Sequence, residues 1–135
     1  MQPNAISTKD ERNVKLRGVL AMIYVSDVAR SIEFYKQLGF TVGGTHQDKG
    51  RLVWAELRTE NGHSQLMLAN SARPMNPGAQ DMLFYLYAEN VEQYREQLKA
   101  IGLAVGPMQY PFYSPRGEFR LEDPDGWSLF IAHAD

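Results

Sequence analysis

Leu20-Ala21-Met22-Ile23-Tyr24-Val25-Ser26-Asp27-Val28-Ala29-Arg30-Ser31-Ile32-Glu33-Phe34-Tyr35 decides the fold, because the chain presents it twice. A shift of 63 positions carries Asp27 onto Asn90 and lays Leu20–Val25 over Leu83-Phe84-Tyr85-Leu86-Tyr87-Ala88. Val28 then meets Val91, Glu33 meets Glu96, Lys36 meets Lys99, Gly39 meets Gly102, Val42 meets Val105 and Gly43 meets Gly106, without a gap. Each copy opens on an apolar, β-prone run. Asp27 and Asn90 follow as helix N-caps for helices over 28–38 and 91–101. Ile32, Tyr35 and Leu38 recur at helical spacing in the first helix. Val91, Tyr94, Leu98 and Ile101 do so in the second, and both sets are core stripes. Gly39 and Gly102 stop the helices, since glycine accepts the left-handed conformation.

Strands follow each helix. In the first copy they are expected over 41–45, 51–59 and 64–69, with turns at Asp48-Lys49-Gly50 and Glu60-Asn61-Gly62. In the second they are expected over 104–108, 117–122 and 127–133, the last two joined by the hairpin turn Asp123-Pro124-Asp125-Gly126. The fold class is therefore α+β, two βαβββ modules in tandem, spanning 19–70 and 81–135 as one structural domain. A Pro/Asn/Gly-rich linker over 71–80 joins them, and a polar arm over 1–18 is expected to be flexible.

Composition narrows the function. The 135 residues are enough for one core without a structural metal or disulfide, and there is no cysteine. Thiol chemistry and iron–sulfur clusters are excluded. A net charge of −2, with Lys9, Arg12, Lys15 and Arg17 interleaved by Asp10 and Glu11, leaves no nucleic-acid footprint. No apolar run reaches the ~20 residues that span a bilayer, and the N-terminal residues lack a signal-peptide core, so a cytoplasmic protein with no membrane partner is expected. There is no phosphate-binding glycine loop and no nucleophile elbow.

The doubled βαβββ unit, the Asp27-Val28-Ala29-Arg30-Ser31-Ile32-Glu33-Phe34-Tyr35 helix start, Leu38-Gly39-Phe40 and the closing Asp123-Pro124-Asp125-Gly126 resemble the vicinal oxygen chelate superfamily of glyoxalases, bleomycin-resistance proteins and dioxygenases. The stretch Arg116-Gly117-Glu118-Phe119 is similar to the bleomycin-resistance branch. The resemblance implies two curved four-stranded sheets with helices on their convex sides, forming a cup-shaped mixed sheet, and a homodimer in which both chains line each cavity. In the metalloenzymes of the group, ligands lie seven residues before the capping Asp, at the matching place in the second copy, on the last strand of the first module, and three residues after the closing turn. Here those places hold Leu20, Leu83, the run Ser64-Gln65-Leu66-Met67-Leu68, and Phe130. Leu20, Leu83 and Phe130 offer no lone pair to a hard or borderline cation, and the run on the fourth strand holds no carboxylate or imidazole, so neither metal nor other cofactor is expected. His46, His63 and His133 read as turn or strand-end residues.

Strand alternation turns Met22, Tyr24, Tyr85, Tyr87 and Phe130 towards the cup if Leu20 and Leu83 point there. Trp54 and Glu56 join them from the middle strand, and Tyr110 and Tyr113, with Phe112, form a lid. Glu56 either pairs with Arg58 or looks into the cup alone. Glu118, Arg120 and Glu122 share a strand face, an ordinary charged surface unless that face points inward. The candidate ligand-binding set is thus Met22, Tyr24, Trp54, Glu56, Tyr85, Tyr87, Tyr110, Tyr113 and Phe130. It suits a small aromatic or amphipathic compound, sequestered rather than converted. Two rivals stand beside this reading. One is a lyase, isomerase or dioxygenase with a rearranged metal site or a metal-free acid; the other is a subunit that uses the fold only to bind a partner, its aromatics filling the core.

Overall fold

The computed structural model describes residues 14–134; residues 1–13 of the expected arm, and Asp135, lie outside the described residues. Strand β1 (Ala21–Val25), helix α1 (Val28–Gln37), β2 (Thr41–Asp48), β3 (Arg51–Arg58) and β4 (Ser64–Asn70) form the first half. A 3-10 turn (Pro77–Ala79) precedes β5 (Leu83–Ala88), α2 (Val91–Ala100), β6 (Glu118–Glu122) and β7 (Ser128–His133). The sheets run β1-β4-β3-β2 and β5-β7-β6. Each is mixed: the first strand of each half pairs parallel with the last, and the other pairings are antiparallel.

The caps act as their chemistry dictates. Asp27 accepts the Arg30 amide at 3.2 Å and Asn90 accepts the Gln93 amide at 3.1 Å, each satisfying an orphan donor of the first turn. Gly39 and Gly102, at φ 107° and 96°, turn the chain out of the helices. Helix α1 buries Val28, Ser31, Ile32 and Tyr35, and α2 buries Val91 and Leu98. Ile101, expected on the core stripe, is instead the α2 C-cap and is exposed, because the helix ends one residue earlier.

The repeat extends to strand register. Met22 faces Met67 and Tyr24 faces Ala69 across β1·β4. The positions 63 further on, Tyr85 with Phe130 and Tyr87 with Ala132, face each other across β5·β7. One set of alternating residues, Ile23, Val25, Leu66, Leu68, Leu129 and Ile131, faces the helices and is buried. The core is one cluster drawn from both halves.

The halves part at one element. The strand expected over 104–108 does not form, so the second sheet has three strands rather than four. The segment runs beside β6 but touches it only twice: the Gly106 amide donates to the Arg120 carbonyl at 2.7 Å, and Gln109 bridges Glu118. Pro107 lies between these points and has no N–H to give a ladder. His46, expected beside a turn, sits within β2 opposite Trp54, because β2 runs three residues further than its apolar pattern suggests.

The two halves are joined through the Asp123–Gly126 turn. Asp123 is buried; its Oδ1 accepts the amides of Asp125 and Trp127, both at 2.9 Å, and its Oδ2 accepts the Tyr35 hydroxyl of α1 at 2.8 Å. Burial raises the Asp123 carboxyl above its ordinary range against the pull of these donors, and burial likewise pushes the Tyr35 hydroxyl up. Asp125 accepts the Ser26 amide at 3.0 Å, and the Trp127 indole donates to the Tyr24 carbonyl at 2.9 Å. Tyr35→Phe leaves a buried carboxylate oxygen without its donor. We expect it to lower the unfolding free energy by about 1–3 kcal/mol in urea titrations, without a change in m-value. A variant as stable as the parent would show that this contact does not hold the halves together.

Candidate functional site

Each sheet has a second face, turned away from its helix, on which the large apolar residues are not buried, while Ala132 is. On the first sheet, register aligns Tyr24, Ala69, Trp54 and His46 in one cross-strand row and Met22, Met67 and Glu56 in the next. On the second, the rows are Tyr87, Ala132 and Glu118; Tyr85, Phe130 and Arg120; and Leu83, Ser128 and Glu122. Tyr24 is 54% and Tyr87 68% exposed, each on an edge strand of its sheet, β1 and β5. Tyr85 stacks on Phe130, with centroids 5.3 Å apart and planes 17° apart.

Two concavities lie on the second sheet. One, of about 420 Å³, is lined by Tyr85, Tyr87, Tyr113, Ser114, Pro115, Arg116, Glu118, Ala132 and His133. The other, of about 520 Å³, opens where the fourth strand is missing and is lined by residues that include Gly106, Glu118, Arg120 and Phe130. Both volumes suit a small organic ligand. So the structure gathers Tyr85, Tyr87 and Tyr113 at one concavity and places Phe130 at its neighbour. Met22, Tyr24, Trp54 and Glu56 lie together on the first sheet and line neither. Tyr110 donates to Glu92 and flanks Gly117 rather than lining either hollow, while Phe112, next to Tyr113, is 94% exposed.

Two of the acids on these faces, Glu56 and Glu118, have opposite surroundings. Glu56 pairs with Arg58, which answers the question the sequence leaves open. Its carboxylate also accepts the Ser64 hydroxyl and, at 2.8 Å, the Gly44 amide. The Ser64 and Gly44 hydrogen bonds and the Arg58 guanidinium hold its pKa down at about 2. Gly43 leaves room for this arrangement: a Cβ there would stand 2.3 Å from Glu56 Oε1. A carboxylate so bound is a poor proton carrier near neutral pH.

Glu118 is the candidate residue that the sequence reading took as surface charge unless its strand face pointed inward. It is 3% exposed and lines both concavities. Its Oε2 accepts the Tyr113 hydroxyl at 3.3 Å, and its Oε1 is buried with no hydrogen-bond partner among the described residues. Arg120, two residues along the same face, donates to Glu122 at 3.0 Å and to Ser128 at 2.8 Å. Tyr85 lies against Tyr113 and Glu118, and desolvation, then those neighbours, push its hydroxyl up to about 12. The only signal in the sequence was the Arg116-Gly117-Glu118-Phe119 string itself.

The positions that correspond to metal ligands do not fit a cation. Register places Met67 as the counterpart of Phe130, so the set is Leu20, Met67, Leu83 and Phe130. Among the described residues no group of three or more His, Asp or Glu is placed to hold an ion.

The Glyoxalase/Bleomycin resistance protein/Dioxygenase superfamily matches residues 19–130, most of the sequence, and the chain belongs to that superfamily. Among solved structures it is similar to a bleomycin-binding protein complexed with bleomycin (20% identity over 89% of this chain and 100% of that one, TM-score 0.66). It is also similar to the antibiotic binding protein TnmS3 from a Streptomyces species (20% identity, 91% and 100% covered, TM-score 0.71). A third similar structure is a possible glyoxalase from Bacillus cereus (23% identity, 84% and 95% covered, TM-score 0.63). At these identities the likeness is one of fold. No curated protein matches the sequence.

Glu56→Gln tests the electrostatics of the first face. A carboxyl whose folded pKa lies below its ordinary value stabilises the fold above that ordinary value, and the contribution fades as pH falls through the folded one. The gap in urea midpoint between parent and variant should be constant from pH 8 to about pH 5 and shrink towards pH 2. A gap that does not change with pH would contradict the assigned bonds.

Proposed function

We propose that this protein is a metal-free, dimeric binder of a small aromatic or amphipathic compound, acting by sequestration in the cytoplasm. The observation that carries the reading is the pair of half-exposed aromatic sheet faces related by the 63-residue register. Aromatic side chains left open on a sheet face forgo burial worth about 1.5–3 kcal/mol each, which a fold retains where a ligand or partner covers them. Stacking geometry at Tyr85 and Phe130 suits a flat ring. The first-sheet face of Met22, Tyr24, Trp54 and Glu56 stands apart from the hollows of the second. A second copy would lay it opposite Tyr85, Tyr87, Tyr110, Tyr113 and Phe130, completing each site from two chains. The modules over 19–70 and 81–135 would then act as the two walls. That no helix among the described residues is long and apolar enough to cross a membrane accords with this reading. The donor-poor set Leu20, Met67, Leu83 and Phe130 favours binding over the metal-dependent chemistry of other superfamily members.

Native mass spectrometry of protein purified without chelator should give a two-copy assembly with no stoichiometric transition metal. In a thermal-shift panel of flat and amphipathic antibiotics that includes bleomycin, at least one compound should raise Tm. Saturation at 100 times Kd corresponds to about 2.7 kcal/mol of added stability. Phe130→Ala should weaken that compound roughly tenfold or more, equivalent to about 1.4 kcal/mol. Stoichiometric iron, zinc, nickel or manganese, or turnover of the bound compound, would replace this reading with an enzymatic one.

A further inference from the structure

We propose that Glu118 is the anchor for a positively charged group, so that the ligand of this protein is an organic cation, an ammonium borne on an aromatic or amphipathic body. The inference deepens the binding function proposed above and rests on it. It starts from a carboxylate that the fold buries without pairing. Native proteins satisfy buried polar atoms with few exceptions, and an exception calls for a partner from outside. Oε1 of Glu118 has none among the described residues; Oε2 has the Tyr113 hydroxyl, at 3.3 Å, as its one hydrogen-bond donor, and the Tyr85 hydroxyl stands near the same carboxylate. That distance lies beyond the ordinary range for an O–H to oxygen bond, so a stronger donor can displace it. The nearest cation on the same strand face, Arg120, is committed to Glu122 and Ser128.

The hollow beside Glu118 is walled by three tyrosines, with Arg116 and His133 also in its lining. Glu118 shares its cross-strand row with Tyr87, and only the methyl of Ala132 stands between them. With strands about 4.8 Å apart, this row makes a slot roughly 10 Å wide, floored by one small side chain. Tyr85 and Tyr113 border the same hollow. Ring faces attract a cation electrostatically, and a buried carboxylate supplies the charge-assisted hydrogen bond that a neutral ligand cannot use. Glu56, the acid of the first face, lies in the row of Met22 and Met67, not in the Tyr24–Ala69–Trp54 row that matches that of Glu118, and both its oxygens are engaged by Arg58, Ser64 and Gly44.

The test is a matched pair of probes titrated calorimetrically into the full chain: 1-naphthylmethylammonium and its neutral isostere 1-naphthalenemethanol. The ammonium should bind at least ten times more tightly than the alcohol. Glu118→Gln should abolish that preference by weakening the ammonium. The ligand-free Glu118→Gln protein should melt no lower than the parent, since the variant replaces an unpaired buried charge by a neutral amide, whereas loss of a purely structural contact would lower Tm. Tyr113→Phe, which removes the one donor on Oε2, should strengthen ammonium binding, and this keeps the test decisive should Glu118→Gln fail to fold. Equal binding of both probes to the parent, or a preference that survives Glu118→Gln, overturns the assignment of Glu118 while the aromatic-binding function stands. Binding of neither probe overturns both.

Discussion

The structure depends on one buried carboxylate. Asp123 sits at the close of β6 and gathers three donors: the amides of Asp125 and Trp127, which shape the turn, and the hydroxyl of Tyr35 from the opposite half. A buried carboxylate tolerates removal from water only when its oxygens are hydrogen-bonded, so the turn geometry and the position of α1 are set together. Asp125 on Ser26 and Trp127 on Tyr24 add contacts to the same β1–α1 junction, and the Arg30 guanidinium approaches Asp125 at 3.7 Å. The turn that closes one sheet thereby becomes the clasp between both.

With the helix-facing residues bound into one core, what remains of each sheet is its other face. The small residue Ala132, between Tyr87 and Glu118, lies in the lining of one hollow of the second sheet. The missing fourth strand of that sheet widens the other. The break follows from Pro107, which cannot donate, and from Gly106, whose backbone approaches β6 so closely that a Cβ would stand 2.9 Å from the Arg120 carbonyl oxygen. An interruption in a ladder thus turns an edge that would have been paired into one wall of a concavity.

Two of the glutamates on these faces show how environment rather than residue type sets a role. Glu56 is the more conspicuous in sequence, between Trp54 and Arg58 on an apolar strand, yet its carboxylate is consumed within the sheet. Glu118 reads as one member of an alternating charged strand, yet it is among the most buried polar side chains of the described residues. The difference lies in what covers each strand. The segment from Gln109 to Gly117 folds over Glu118 and carries Tyr113 onto it, whereas Glu56 meets a glycine-lined bulge that offers it an amide.

Local chemistry alone determined the α+β class, the repeat of 63 residues, the two N-caps, the helix-stopping glycines and the core stripes apart from Ile101, because capping, turn and periodicity signals act over a few residues. The same locality made legible which aromatics leave the core, since alternation along a strand needs no knowledge of its neighbours. Tertiary structure alone decided that residues 104–108 do not enter the sheet, that Met67 is the counterpart of Phe130, that His46 is paired within a strand, and that Glu118 is buried beside an empty valence while Glu56 is satisfied. Each of these depends on which backbone lies alongside which, across turns and between strands. Burial and pairing of a charge are properties of that neighbourhood and not of the residue that carries it.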